Sequence, residues 1–492
     1  MSRPALQTPS GAVADSLDRR PSRLFRLRAA AAPAVVLGLA GVWSLAHGID
    51  HRFLSFSDGV YLYTASAAAS QGLHHLYNDL PVSLPPPTLL GAALLWRLSP
   101  HIETIRLALA ALGAVTALLT FAAARRLFGV GPAAATLAAG LVLAAPVHAE
   151  FVGLDGEALL TPLLLLVALA LEQRRDAAAA VLLGLGFVVK LTWAPYFLAG
   201  LVAVAIRAGR ARAAAVGAGA LAVSVTAYAG LAVAFGWHAG DLLRQLVLAE
   251  SHSGLQLGLA PALGLAVAVL WWPALPLLRP GLRRTSPTVQ CLMAGGVVTA
   301  LFMLKQGTFF NVLAPLEPLV AIAAVAGATA VWSRRRAVVT LCAVGAALHV
   351  ASVTRGPLGH ILPIPAGAAI VDTDNQATVD RLAGVIAAHS APSQRVLVNP
   401  FLALVAHRRE PNDAADWFIL RSLERYCGTS TANHCADWRR VKAARVPVVT
   451  VDSNVVSFDP QFRADTRAST MVQAAGVDRP PLKLRLYVRA RR

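Results

Sequence analysis

Long apolar runs separated by short arginine-rich stretches set the pattern of this chain. Many runs extend over roughly 17 to 25 residues, enough for a helix to cross about 30 Å of hydrocarbon. They predict spans near residues 29–47, 102–123, 131–149, 157–172, 213–236, 258–279, 288–304, 312–332 and 337–353. Basic clusters at Arg125-Arg126, Arg174-Arg175, Arg207 to Arg212, Arg279 to Arg284 and Arg334 to Arg336 bound these runs. Read as cytoplasmic, they thread the chain through the membrane.

The stretch 177–206 does not fit as a single helix, because that would put Arg174-Arg175 and the Arg207 to Arg212 cluster on opposite sides. Two short segments resolve the conflict. Pro195 removes a backbone donor and disfavours helical geometry in its predecessor, so a break is expected between Lys190 and Pro195 in a helix hairpin. PPPTLLGAALLW is too short and too proline-led to span, and reads as an interfacial or re-entrant helix.

From about Pro365 the composition becomes that of a soluble domain. Helix-like stretches near 375–389, 413–426, 436–444 and 462–475 alternate with the β-branched runs RVLVNP, RVPVVTV and LKLRLYVR, which predicts a small α/β fold. The expectation is a polytopic α-helical membrane protein of about 11 membrane segments with a C-terminal extracytoplasmic α/β domain. Residues 1–28 form a cytoplasmic tail, 29–353 a multi-span domain with an outer loop at 48–101, and 365–492 the outer domain.

Composition agrees with this class. Hydrophobic residues make up 56% of the chain and charged residues 14%, against about 25% charged in soluble proteins. The net charge of +18 would point to nucleic acid in a soluble chain; here arginines at span ends account for much of it, and no nucleic-acid partner is expected. Arg19, Arg20, Arg23, Arg26 and Arg28 precede the first apolar run, which lacks an A-x-A-like cleavage site and so reads as an uncleaved first helix of a plasma (inner) membrane protein. Cys427 and Cys435 admit either an outside disulfide or two free thiols, while Cys291 and Cys342 read as small apolar residues within spans. No P-loop, Rossmann glycine pattern, HExxH or spaced Cys/His zinc set occurs.

The candidate chemistry lies on the outer side. Asp58 opens a long polar loop containing Tyr61, Tyr63, Gln71, His74, His75, Tyr77, Asn78, Asp79 and Pro85-Pro86-Pro87. A carboxylate there can take the proton of an attacking hydroxyl, or it simply starts an interfacial helix. Tyr61 and Tyr63 read as interfacial belt aromatics or as substrate contacts. Asp155 and Glu157 fit an N-cap and first turn, a geometry equally suited to positioning an acceptor or a metal. Only four lysines occur, Lys190, Lys305, Lys442 and Lys483. Lys190 interrupts an apolar hairpin and Lys305 begins KQGTFFN before Asn311; each either snorkels to the headgroups or faces a phosphate. His74 and His75 are weak metal candidates without two further ligands, and Glu250 and His252 read as solvated residues of an amphipathic outer stretch.

Taken in order, SDGVYLY to PPPTLL, GLDGE, GFVVKLTWAP and KQGTFFNVLAPLEP, together with an α/β tail, resemble the C-type integral-membrane glycosyltransferase superfamily (GT-C), including its bacterial polyprenyl-phosphate-sugar-dependent members. The resemblance covers most of the chain. It implies transfer of a sugar from a polyprenyl-phosphate carrier to a lipid-linked or glycan acceptor of the cell envelope, commonly with inversion. It also implies Asp58 as base, Asp155 or Glu157 as supporting acid, and Lys190 or Lys305 near phosphate. Tyr61, His74 and Asn311 are further substrate-binding candidates. Many relatives carry two adjacent acids in the first loop, whereas Gly59 follows Asp58 here, which leaves a divalent metal open. A transporter or lipid flippase is the second reading and predicts midplane sites and repeated halves. A non-catalytic envelope assembly protein is the third.

Overall fold

In this alanine-rich sequence Pro86, Pro132 and Pro287 each open a helix, and Gly209 and Gly236 each close one. The structure is a computed structural model describing residues 56–80, 82, 84–144, 154, 156–243, 245–246, 257, 264, 274–304, 310–332, 336, 340, 373–409, 447–451, 471–479 and 482–489, with isolated positions near residue 35. The predicted spans 29–47 and 337–353, most of 258–279, and the predicted helices 413–426 and 436–444 lie outside the described residues, as do Cys342, Cys427, Cys435, Glu250 and His252.

The stretch read as an outer loop contains two helices, α1 (Phe56–Gln71) and α2 (Pro86–Leu98). Pro86 and Pro87 occupy the first positions of α2, where a missing N–H costs nothing. Arg97 in the last turn of α2 donates to the carbonyl of Ala69 near the end of α1, so the C-terminal ends of the two packed helices meet. Their first turns carry Asp58 and Thr88.

The apolar part continues with α3 (Ile102–Leu127), α4 (Pro132–Ala144), α5 (Glu157–Glu172), α6 (Asp176–Val189), α7 (Ala194–Ala208) and α8 (Arg210–Phe235). After the short α9 (Ala239–Leu243) follow α10 (Leu275–Leu282), α11 (Pro287–Thr299) and α12 (Glu317–Val331). At 26 residues, α3 is about 39 Å long, more than the hydrocarbon thickness requires. Among the described residues, Ile102–Leu127, Leu191–Ala208, Arg210–Phe235 and Pro287–Leu304 are long and apolar enough to cross a membrane. Leu198, Val202 and Ile206 form an exposed i, i+4, i+8 stripe on α7, as hydrocarbon contact requires.

The hairpin forms as the charge pattern predicts. Lys190 is extended (φ −164°, ψ 141°), a 3₁₀ turn spans Leu191–Trp193, and Pro195 lies in the first turn of α7. Both hairpin ends return to one side: Arg212 Nε donates to Asp176 Oδ2 at 2.6 Å, and Arg207 donates to Asp176 and to the carbonyl of Leu171. Ser286, between α10 and α11, donates to Glu172 Oε2 at 2.6 Å, so a third arginine-bearing turn meets the same end. Small residues bring the helices close. Ser224 of α8 donates to the carbonyl of Gly184 in α6 at 2.8 Å. The main core joins Leu160, Leu164, Leu183, Trp193, Tyr196, Leu292, Leu319 and Ile322.

A second core lies at the other end. There Leu62, Tyr77, Leu89 and Ile105 pack with Leu382 and Ile386 of α13 (Thr373–His389), Phe401 of α14 (Pro400–Val405) and Leu486. Three antiparallel strands, β1 (Val448–Val451), β2 (Met471–Arg479) and β3 (Leu482–Arg489), lie in the order β1-β3-β2. Two expectations fail here. Residues 471–475 are strand rather than helix, because β3 offers Met471 and its neighbours a pairing edge that outweighs local propensity. RVLVNP joins no strand of the sheet: Arg395 makes an isolated bridge to Arg409, and Leu397 N donates to the carbonyl of Val448 in β1 at 3.0 Å.

Candidate functional site

At the end of the bundle opposite the arginine-bearing turns, the segment between α1 and α2 is clamped by the residues after α8. Tyr77 is buried with φ 63° and donates through its hydroxyl to the carbonyl of Leu84 at 2.6 Å. Gln245 donates to the carbonyl of Tyr77 at 2.6 Å and accepts from Val82 N at 2.9 Å. Trp237 donates to the carbonyl of Leu73 at 2.8 Å, and its ring meets Tyr77 edge-on at 5.0 Å. Buried carbonyls and amides of this irregular segment are thereby paired, which holds it in one shape.

Beside it, α5 begins and α6 ends. Because α5 runs away from this end and α6 returns to it, Glu157 and Lys190 meet across the two packed helices. Lys190 Nζ donates to Glu157 Oε1 at 2.6 Å and Oε2 at 2.7 Å. The Glu157 side chain is 0% exposed and that of Lys190 17%. Gly156 is the N-cap of α5 at φ 95°, a left-handed value that favours glycine. The cap predicted at Asp155 is therefore corrected: the helix starts at Gly156 without a side-chain cap, as only glycine readily makes that turn. Asp155 itself lies outside the described residues.

Several polar groups that the sequence reading passed over lie at this end. Thr88, in the first turn of α2, has its Oγ1 3.5 Å from where a Gly156 side chain would begin, and Lys190 Cδ lies 3.7 Å from the same point. The Tyr196 hydroxyl is buried with no hydrogen-bond partner among the described residues. Glu317, the first residue of α12, is buried, and its Oε2 has no hydrogen-bond partner among the described residues. The signals were present in PPPT, in Tyr196 beside the hairpin break, and in the glutamate of LAPLEP. All are polar side chains inside apolar surroundings.

The remaining candidates separate. Asp58 lies in the first turn of α1; its side chain is outside the described set. Gly59 explains the missing second acid, since a Cβ there would stand 2.4 Å from Phe401 Cβ. Tyr63 is buried in the second core and Tyr61 lies half-buried against it. His74 is exposed and contacts the ring of His75 at 4.0 Å, and His75 Nδ1 lies 2.5 Å from Asp79 Oδ2. Among the described residues, no group of three His, Cys, Asp or Glu could hold a metal ion. Asn311 falls in the 3₁₀ turn Phe310–Leu313, with its side chain outside the described set, and Lys305 lies outside it entirely.

No family model and no curated protein matches the sequence. The fold does have solved counterparts. ArnT from Cupriavidus metallidurans bound to undecaprenyl phosphate superposes with a TM-score of 0.60 at 15% identity, covering 92% of this chain and 97% of that one. The apo state of the same protein gives 0.61 at 14% identity, covering 93% and 98%. This likeness over nearly the whole length gives the chain the fold of ArnT, and its apolar helices make it a multi-pass membrane architecture.

Proposed function

We propose that the protein transfers a sugar from a polyprenyl-phosphate carrier to a cell-envelope glycan or glycolipid at the outer face of the plasma membrane. The observation that carries this reading is the buried Glu157–Lys190 pair, set beside the clamped first-loop helices at the end opposite the arginine-bearing turns. Arginine-rich ends favour the cytoplasm, which leaves the pair, α1 and α2 at the outer surface. The undecaprenyl phosphate bound by ArnT supports a carrier of that class here.

In the proposed reaction an acceptor hydroxyl attacks the anomeric carbon as its proton passes to the Asp58 carboxylate. The bond from that carbon to the phosphate oxygen breaks, and polyprenyl phosphate leaves with the electron pair. Attack opposite the leaving group inverts the sugar carbon. Lys305 is assigned to the developing phosphate charge. Glu157 and Lys190 neutralise each other and make a rigid floor, with Asp155 as the adjoining acid. Tyr61, His74 and Asn311 remain assigned to substrate contacts at the rim. A divalent metal is compatible with this scheme but takes no part in any step given.

Placement favours this reading over transport or lipid flipping. Glu157 opens α5 and Lys190 follows α6, so both sit at helix ends rather than at the midplane that a transporter uses. The test is purified protein in liposomes with undecaprenyl phosphate bearing a radiolabelled sugar and a glycolipid acceptor. Label should reach the acceptor as an equal amount of undecaprenyl phosphate appears. Carrier crossing the bilayer with its sugar still attached, and no labelled acceptor, would instead establish transport.

A further inference from the structure

The hydroxyl of Thr88 has no hydrogen-bond partner among the described residues although Thr88 is only 8% exposed. Threonines elsewhere in these apolar helices return their hydroxyls to the carbonyl four residues back, as Thr116, Thr120, Thr161 and Thr299 do. The carbonyl four residues before Thr88 belongs to Leu84, which precedes the N-cap Pro85 and so lies outside the helix, where it accepts from the Tyr77 hydroxyl. A buried polar group left this way needs a partner from outside the chain.

The surroundings indicate which partner. Thr88 Oγ1, the carbonyl of Val189 and Lys190 Cδ border one notch over Gly156, at 3.5, 3.5 and 3.7 Å from the position of a side chain there. The positive φ of Gly156 discourages any side chain from closing it. Both oxygens of Glu157 receive Lys190, so the pair beside the notch is neutral overall. With its ammonium held by both Glu157 oxygens, Lys190 offers a phosphate in this notch no uncompensated positive charge. A sugar hydroxyl is neutral and both gives and accepts a hydrogen bond, as the threonine hydroxyl does.

We infer that Thr88 is a binding residue for the sugar being transferred, its hydroxyl pairing with one sugar hydroxyl in the notch beside the Glu157–Lys190 pair. This rests on the glycosyltransferase reading and narrows it by assigning the notch to sugar rather than to the carrier phosphate.

The experiment measures binding by native mass spectrometry in nanodiscs for wild type, Thr88→Val and Thr88→Ser. The probes are undecaprenyl phosphate, the same carrier bearing each of a panel of hexoses and pentoses, and monodeoxy forms of the best-bound sugar. Wild type should prefer at least one glycosylated carrier over the bare one. Thr88→Val should cut that preference about tenfold, leaving the bare carrier unchanged, and Thr88→Ser should keep it. One monodeoxy sugar should lose the preference in wild type and be indifferent to Thr88→Val. The inference is overturned by equal weakening of bare undecaprenyl phosphate, by a preference that survives Thr88→Val, or by no preference in wild type. If Thr88→Val does not fold, the monodeoxy series on wild type decides: no single deoxy position losing the preference overturns the inference. Selective binding without any label transfer would sink the transferase reading while leaving the sugar notch standing.

Discussion

Breaking the Glu157–Lys190 pair from one side should damage the fold far more than replacing both residues. At 2.6 Å and an effective dielectric of about 20, the attraction is about 6 kcal/mol before the cost of dehydrating both ions, which offsets much of it. Lys190→Met leaves a fully buried carboxylate without its ammonium, which should cost about 3–5 kcal/mol. Glu157→Gln should cost less, about 2 kcal/mol, because the lysine head is partly exposed and can move toward headgroups. The double variant replaces both charges and should return to within about 1 kcal/mol of wild type. The assay is loss of the monodisperse protein peak after heating in detergent. The expected Tm order is wild type close to the double variant, then Glu157→Gln, then Lys190→Met. A double variant whose Tm loss equals the sum of the two single losses would refute the coupling and the geometry behind it.

Three further outcomes follow from the packing. Gly59→Asp should push α14 off α1 at a cost of about 1–3 kcal/mol, seen as faster trypsin cleavage in residues 373–409. Arg207→Gln should lower Tm more than Arg212→Gln: Arg207 also holds the carbonyl of Leu171, whereas the Arg212 side chain is 59% exposed and its pair should be worth under about 1 kcal/mol. Gln245→Ala should strand Val82 N and the carbonyl of Tyr77 at about 1–3 kcal/mol each, measured as faster amide exchange across residues 73–84 with α6 and α8 unchanged.

The hairpin was legible in the sequence because two physical rules agreed: arginine clusters had to share one side, and Pro195 supplied the break. Glu157 and Lys190 were each visible as charges in apolar surroundings. Their pairing was not, since it joins residues 33 positions apart through the antiparallel run of α5 and α6, which no local pattern encodes. FSDGVYLYTASAAASQ read as a polar loop, yet its alanines favour helix, and Leu62 and Tyr63 pack in the second core, to which distant residues of α13 and α14 contribute. Thr88 escaped notice because a threonine in a helix ordinarily satisfies itself; its place in the first turn, with Leu84 lying before the helix, makes it exceptional. Strand β2 was misread for the same kind of reason: its conformation is set by β3 rather than by its own composition.

The central claim is that Asp58 moves the proton during sugar transfer. Its most direct test compares wild type with Asp58→Asn in liposomes under single-turnover conditions, following radiolabel from a glycosylated undecaprenyl phosphate to a glycolipid acceptor alongside binding of the donor. The account predicts unchanged donor binding and a transfer rate lowered about 10²- to 10⁴-fold. Equal transfer rates for the two proteins would contradict it.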